Sequence, residues 1–361
     1  MTETTSTALD PAWWSEPAAR PSVSVKAAAS ERQNQLTKPP GALGRLEQIA
    51  IQLAAIQNQV KPSLEQVHIA VFAGDHGIVE EGVSAFPQAV TVEMQRNFIR
   101  GGAAISVLAR ELDATLEVIN TGTHADPSHL AGVVHGPIAP QTANFRHQAA
   151  MTEAQWQQAL CLGWESVQRA AERGVKLYIG GEMGIGNTTA ATALLARLLN
   201  LAVGDITGPG TGLNQQGVQH KIRVIQHALD RHTNSLTDAG AISRILGGFE
   251  ITALTGAYIA AAQQGIAVIV DGFICTAAAA VALQLNPSIR PYLFFSHCSA
   301  EPGHQKVIEQ LGVEPIVDLN LRLGEGSGAA MVVPLLRLAC ALHNQMATFA
   351  EAAVSEKLEN G

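Results

Sequence analysis

The sequence predicts an α/β fold in which a parallel sheet is covered by helices on both faces, and three observations predict it. Short apolar runs of strand length alternate with longer stretches of helical period, the rhythm of βαβ crossovers. Of the 361 residues 47% are hydrophobic but only 4% aromatic, so the core is mostly Ala, Val, Ile and Leu, as in helices packed closely on a buried sheet. Each strand run ends in a cluster of Gly with Asp, Glu, His, Ser or Thr, whereas the opposite ends are bland. Ligands of parallel sheets sit beyond the carboxyl ends of the strands, so this asymmetry points to one composite site.

The elements follow in order. Residues 1–30 are rich in Ser, Thr, Ala and Pro and read as a poorly ordered tail, with Trp13 and Trp14 able to anchor it on the body or on a second subunit. Pro39, Pro40 and Gly41 force a turn before a helix from Leu43 to Gln57, whose apolar side is Leu46, Ile49, Ala50, Leu53 and Ile56. Val67–Ala73 is a strand ending in GDHG. A helix with Met94, Phe98, Ile105 and Leu108 on one side follows, broken near Gly101 and Gly102. Leu116–Asn120 is the second strand, ending in TGTHAD, and residues 125–150 have no clear period. A helix from Glu153 to Arg173 leads into the third strand (Val175, Leu177, Ile179) and the loop GGEMGIGNTT. Asn187, Thr188 or Thr189 opens the next helix, to about Asn200. A second glycine turn at 208–212 precedes the helix Val218–His232, with Lys221 in its first turn. The alanine-rich helix Phe249–Gln264 leads to a fourth strand, Ile266–Val270, ending in DGF. Leu293–Phe295 is a fifth strand, ending in SHCSAEPG, and Pro315–Leu319 a sixth, ending in LRLGEGSG. The last helix, Ala329–Phe349, buries Val332, Leu335, Leu336, Ala339 and Leu342. No internal repeat is visible.

A formal charge of −8 with no basic cluster argues against a nucleic-acid or acidic-membrane partner. An anionic ligand must therefore be met by helix N-termini and a few cations. Cys161, Cys275, Cys298 and Cys340 stand far apart without a CxxC pair, which argues against a zinc cluster or disulfide scaffold and favours a reducing cytoplasm. No signal-peptide pattern and no membrane-spanning apolar window is present, so a soluble intracellular protein is expected.

The loop after the third strand carries glycines at 180, 181, 184 and 186 and opens a helix, which suits a phosphate. It is neither a Walker A loop nor a GxGxxG fingerprint, and it holds a carboxylate, Glu182; a plain strand-to-helix turn with Glu182 solvated fits the loop alone equally well. Glu325, between Gly324 and Gly326 at a helix start, either caps that helix or serves as a base, and Arg322 either pairs with it or faces a ligand. Asp75 and His76 read as a structural pair rather than metal ligands. His297, Cys298, Glu301 and His304 resemble metal ligands or a Cys–His pair, but SHCSAEPGH reads better as a helix start with Ser299 as N-cap. Two glycine-framed carboxylates beside a phosphate loop suit displacement at a sugar carbon with a base deprotonating the nucleophile. The alternatives are a nucleotide-binding sensor or scaffold without turnover and, less well supported, a metal-dependent phosphoesterase built on Asp75, His76 and His297.

The segments LTKPPGALGRLE, FAGDHG, VTVEMQRNF, GEMGIGNTT, GGFE, DGFICTAAA, PYLFFSHCSAEPGH and LRLGEGSGAA occur in an order that resembles the nicotinate-nucleotide:dimethylbenzimidazole phosphoribosyltransferase family, from about Leu36 to about Met346. The resemblance implies a homodimeric, cytoplasmic enzyme of cobalamin lower-ligand assembly. It implies a Rossmann-like large domain over residues 67–329 and a small helical domain from residues 31–66 with 330–361. The activity implied is transfer of phosphoribose from nicotinate mononucleotide to 5,6-dimethylbenzimidazole, giving α-ribazole 5′-phosphate and nicotinate, without metal or cofactor. Carried over, Glu325 is the proton acceptor and Glu182 faces the reacting sugar and base. Gly184, Gly186, Asn187 and Thr188 hold the nucleotide phosphate, with Gly210 and Lys221 closing over it. The base lies against Leu323 and against Phe86 and Met94, which stand where better-known members have a small polar residue and a glutamine.

Overall fold

The computed structural model describes residue 10 and residues 12–355. The chain opens with α1 (Val23–Gln35) and α2 (Arg45–Gln57), followed by β1 (Val67–Gly74), α3 (Ala89–Arg100), α4 (Ala104–Glu111), β2 (Thr115–Gly122) and β3 (Val133–His135). Then come α5 (Glu153–Glu172), β4 (Leu177–Met183), α6 (Asn187–Leu199), the single turn α7 (Val203–Ile206), α8 (Gln215–His232) and α9 (Ala239–Leu246). The remainder is α10 (Phe249–Gln263), β5 (Ala267–Val270), α11 (Phe273–Leu285), β6 (Leu293–His297), α12 (His304–Leu311), β7 (Pro315–Val317), α13 (Ser327–Gln345) and α14 (Phe349–Ala352).

The seven strands form one sheet in the order β3-β2-β1-β4-β5-β6-β7, and every neighbouring pair is parallel. The order reverses between β1 and β4, and all eight residues of β1 are buried, as a central strand covered on both faces requires. The reversal separates the crossovers to either side and opens a crevice at the carboxyl ends of the strands.

Six strands were expected; the seventh, β3, is a three-residue edge strand too short to show alternation. Helix α11 (FICTAAAAVALQL) is apolar all round and buried, so it has no period to detect. The last helix ends at Gln345 rather than Phe349, because Met346 is extended and Thr348 caps a separate turn, α14.

The expectation of a poorly ordered stretch over residues 1–30 does not hold for its described part; residues 1–9 and 11 lie outside the described residues. Trp13 is buried, Trp14 meets Trp156 edge-on with ring centroids 5.1 Å apart, and Gln263 Nε2 donates to the Trp13 carbonyl at 2.9 Å. Helix α1 begins at Val23, capped by Ser22, and buries only Ala29 and Gln33, so no apolar stripe announced it. It is held instead by polar contacts. Arg32 donates to the carbonyls of His343 and Asn344 at 2.8 and 3.0 Å, and Gln33 meets His343 at 2.8 Å. Helices α1 and α2 pack on each other and α2 on α13, while Leu36 bridges to Thr348.

Candidate active site

The cradle at the end of β4 is built by close approach. A Cβ on Gly184 would collide with the Gly74 carbonyl and lie 3.0 Å from Glu250 Oε1, so the loop can press onto β1 only with glycine there. Gly186, with φ 95°, is the N-cap of α6, and no side chain caps that helix, whose N-terminus faces the crevice. Free N–H groups and the positive end of the helix dipole there suit an anion. Lys221, 1% exposed, donates from Nζ to Thr188 Oγ1 at 2.7 Å, and Gly210 lies against both side chains. Burial lowers the Lys221 pKa to about 8, with Glu301 pulling the other way. Gly184, Gly186, Asn187, Thr188 and Gly210 share a small cavity of about 20 Å³, walled on its far side by Val83 and Ser84.

This pocket adjoins a cavity of about 310 Å³ that Glu182, Asp271, Glu301 and Glu325 all line, together with Arg322. Glu182 and Glu325 are 5% and 6% exposed. Burial pushes the Glu182 carboxyl well above its usual range, and the charges of Asp271 and Glu250 push the same way; the hydrogen bond from Asn187 Nδ2 opposes. Glu325 is raised chiefly by burial and further by Asp271, against the backbone N–H of Ile105 at the start of α4. One of its buried oxygens, Oε2, has no hydrogen-bond partner among the described residues. On a residue that lines the cavity, a desolvated carboxyl with one oxygen unpartnered is suited to taking up a proton.

Other acids at the same strand ends are sealed. His76 Nε2 lies 2.5 Å from Glu250 Oε1 with both side chains fully buried. Asp75 accepts from Thr91 Oγ1 at 2.6 Å and from the His124 N–H at 2.9 Å. His304 accepts the Ser299 N–H at Nδ1 (2.7 Å) and meets Thr276 Oγ1 at 3.0 Å, and burial drives its pKa down to about 3. It is a neutral anchor for the loop carrying Glu301. Ser299 Oγ accepts the Glu301 N–H at 3.3 Å, but the helix itself starts later, with Gly303 as N-cap. Among the described residues no group of three or more His, Cys, Asp or Glu side chains is placed to hold a metal ion.

Of the residues singled out in the sequence, Glu182, Gly184, Asn187, Thr188, Gly210, Leu323 and Glu325 line the larger cavity. Gly186 lines the smaller one, and Lys221 stands behind Thr188. Phe86 and Met94 line neither: Phe86 is 47% exposed just ahead of α3, and Met94 packs partly buried against the core. The segment after GDHG reaches the crevice through Val83 and Ser84 instead, because the turn into α3 carries Phe86 outward. Sequence reasoning passed over Asp271, although a carboxylate directly after an apolar strand at the binding edge was a usable signal. Arg322, which the sequence allows either to pair with Glu325 or to face a ligand, lends its charge to Glu301 rather than to Glu325.

A phosphoribosyltransferase family model matches residues 18–354. A protein of Pseudomonas fluorescens (strain SBW25), named nicotinate-nucleotide--dimethylbenzimidazole phosphoribosyltransferase, is 58% identical over 345 residues, covering 96% of this chain and 98% of its own. This chain belongs to the nicotinate-nucleotide:dimethylbenzimidazole phosphoribosyltransferase family. A relative of the same name from Pseudomonas aeruginosa (strain UCBPP-PA14) is 56% identical over 96% of this chain and 98% of its own. The crystal structure of the Thermus thermophilus enzyme of that name superimposes with a TM-score of 0.88 at 42% identity, covering 93% of this chain and 100% of the other. The family thus spans the sheet, the cradle and both cavity glutamates.

Proposed function

We propose that the protein transfers phosphoribose from nicotinate mononucleotide to 5,6-dimethylbenzimidazole or a related azole, giving α-ribazole 5′-phosphate and nicotinate, the activity in its relatives' names. The observation that carries this reading is the convergence of Glu182 and Glu325 on one cavity beside the uncapped N-terminus of α6. The nucleotide phosphate sits at that N-terminus, closed in by Gly210, Thr188 and Lys221, so the ribose C1′ lies over the larger cavity. The azole enters along Leu323, in the cavity wall. Its nitrogen attacks C1′ from the face opposite nicotinate, and its N–H proton passes to Glu325. The C1′–N bond breaks with its electron pair returning to the pyridine ring, and the configuration inverts from β to α.

The shifted acids serve this step. A raised pKa makes Glu325 a stronger base once ionised, and the cationic pyridinium of the bound nucleotide favours ionisation of Glu182. Positive charge developing on the ribose is then met by a carboxylate fixed in place beforehand. A binding-only role would leave the burial of two acids without a cationic partner unused. No helix among the described residues is long and apolar enough to cross a membrane. The same reading makes the protein a cytoplasmic homodimer, and the exposed Met331 and Leu338, seven residues apart on α13, supply an apolar stripe for a second copy. It also makes residues 31–66 with 330–361 a small helical domain, here extended back to Val23; residues 356–361 lie outside the described residues.

Incubating the protein with nicotinate mononucleotide and dimethylbenzimidazole tests the proposal. α-Ribazole 5′-phosphate and nicotinate should appear in equal amounts without added metal; no product with any azole would defeat it.

A further inference from the structure

The loop that presents Glu325 holds it in a conformation that a residue with a Cβ does not favour. Gly324, Glu325 and Gly326 have φ values of 87°, 65° and 83°, so three successive residues lie in the left-handed region, one of them with a Cβ. Glycine is required on both sides by close approach. A Cβ on Gly324 would strike the Glu182 carboxylate, and one on Gly326 would lie 3.3 Å from the Cα of Gly181. The consequence falls on α13, because Gly326 is its N-cap and has no side chain with which to cap it.

Asp271, at the end of β5 and 2% exposed, supplies what Gly326 lacks. Its Oδ1 accepts the Ala329 N–H at 2.8 Å, and its Oδ2 accepts the Gly326 N–H at 3.2 Å. A carboxylate from a neighbouring strand thereby clips the loop one residue after Glu325 and again at the third helical position. We infer that Asp271 is a positioning residue for the proposed proton acceptor, holding Gly326 and Ala329 so that the Glu325 carboxyl stays in the cavity. It acts through Glu325, since both its oxygens are engaged by backbone N–H groups. The inference rests on the phosphoribosyl-transfer reading above.

The charged and titratable groups around this clip come from several adjoining elements, Tyr258 of α10 among them. Glu182 stands at the end of β4, Cys275 lies in the first turn of α11, and His297 Nδ1 at the end of β6 is 3.9 Å from Asp271 Oδ1. Glu301 and Arg322 stand across the cavity. Removing the Asp271 charge therefore takes a negative neighbour from Glu325, which lowers the pKa of the acceptor.

The test compares wild type with Asp271→Asn and Asp271→Ser, the first keeping the side-chain volume should the second fail to fold. Steady-state kinetics with nicotinate mononucleotide and dimethylbenzimidazole are measured alongside amide hydrogen exchange over residues 324–330. The expected result is a kcat about 10²-fold lower, as for a misplaced catalytic group. KM for the nucleotide should stay within about threefold, since the phosphate cradle is untouched. The acidic limb of the pH–rate profile should move to lower pH, and exchange at Gly326 and Ala329 should quicken while β4 to β6 keep their protection. A kcat within about threefold of wild type in the folded variants, or a lost kcat with exchange unchanged, would overturn the inference. A wild type that forms no α-ribazole phosphate defeats the underlying reading and this role with it. An active wild type whose variants keep their kcat defeats this role alone.

Discussion

Two sets of buried titratable groups lie toward the carboxyl ends of the strands, and they differ in company rather than in burial. Glu250 and His76 are fully buried and 2.5 Å apart, with Gly74, Gly184 and Gly248 packed so closely that no space remains around them. Glu182 and Glu325 are nearly as buried, at 5% and 6%, but face a cavity of about 310 Å³ and form no ion pair among the described residues. A sealed pair fixes the end of β1 against the start of α10. An unpaired acid beside space is held ready for a charge that arrives with the substrate. Depth alone would not have separated the two; partner and free volume do.

The largest effects test this division directly. Glu325→Gln should lower kcat by about 10²- to 10⁴-fold. Its thermal stability should hold or rise, because an unpaired buried acid is replaced by a neutral amide. Glu250→Ala should show the opposite pattern, losing about 3–5 kcal/mol in denaturant unfolding as the buried His76 is left without its partner. A loss under ~1 kcal/mol would mean that the pair is not what holds the end of β1 to α10.

Lys221→Met should act on binding instead, raising KM for the nucleotide by about tenfold, the worth of one charged hydrogen bond, with a smaller change in kcat. In wild type the same KM should climb as pH rises above about 8, where Lys221 loses its proton, and the variant should lack that climb. A variant that keeps the climb would place the titrating cation elsewhere.

The smallest effect is on the ligand-free fold. Glu182 has its folded pKa raised above 4.5, so the native state keeps this proton longer than the unfolded chain. Stability from this group is present at low pH and lost as pH rises through the raised value. Glu182→Gln should therefore flatten part of the fall in Tm above pH 4.5, and identical slopes in the two proteins would count against a buried, unpaired acid.

Much of this was legible in the sequence, because parallel sheets write their function at strand ends. The clusters after β4, β5, β6 and β7 all reach the crevice, whereas the one after β1 is sealed, and both glycine-framed glutamates are visible as such. What escaped had no period or no local cause. Helix α11 is apolar on every side, and α1 is held by Arg32 and Gln33 reaching to the other end of the chain. Asp271 bonds residues 55 and 58 positions away, a pairing that only the fold creates. Phe86 and Met94 are placed at the base only by correspondence of position; the turn into α3 carries Phe86 outward, and Met94 within α3 packs on the core.

The central claim is that a desolvated carboxyl on the hook before α13 receives the azole proton. The pH dependence of kcat/KM for wild type and Glu325→Gln tests it most directly, since that ratio reports the ionisations of the free enzyme. Wild type should lose activity as pH falls through a limb lying above the ordinary glutamate value of 4.5, set by Glu325 together with Glu182, and the residual activity of the variant should keep only the shallower part that belongs to Glu182. The same limb in both proteins would contradict the account.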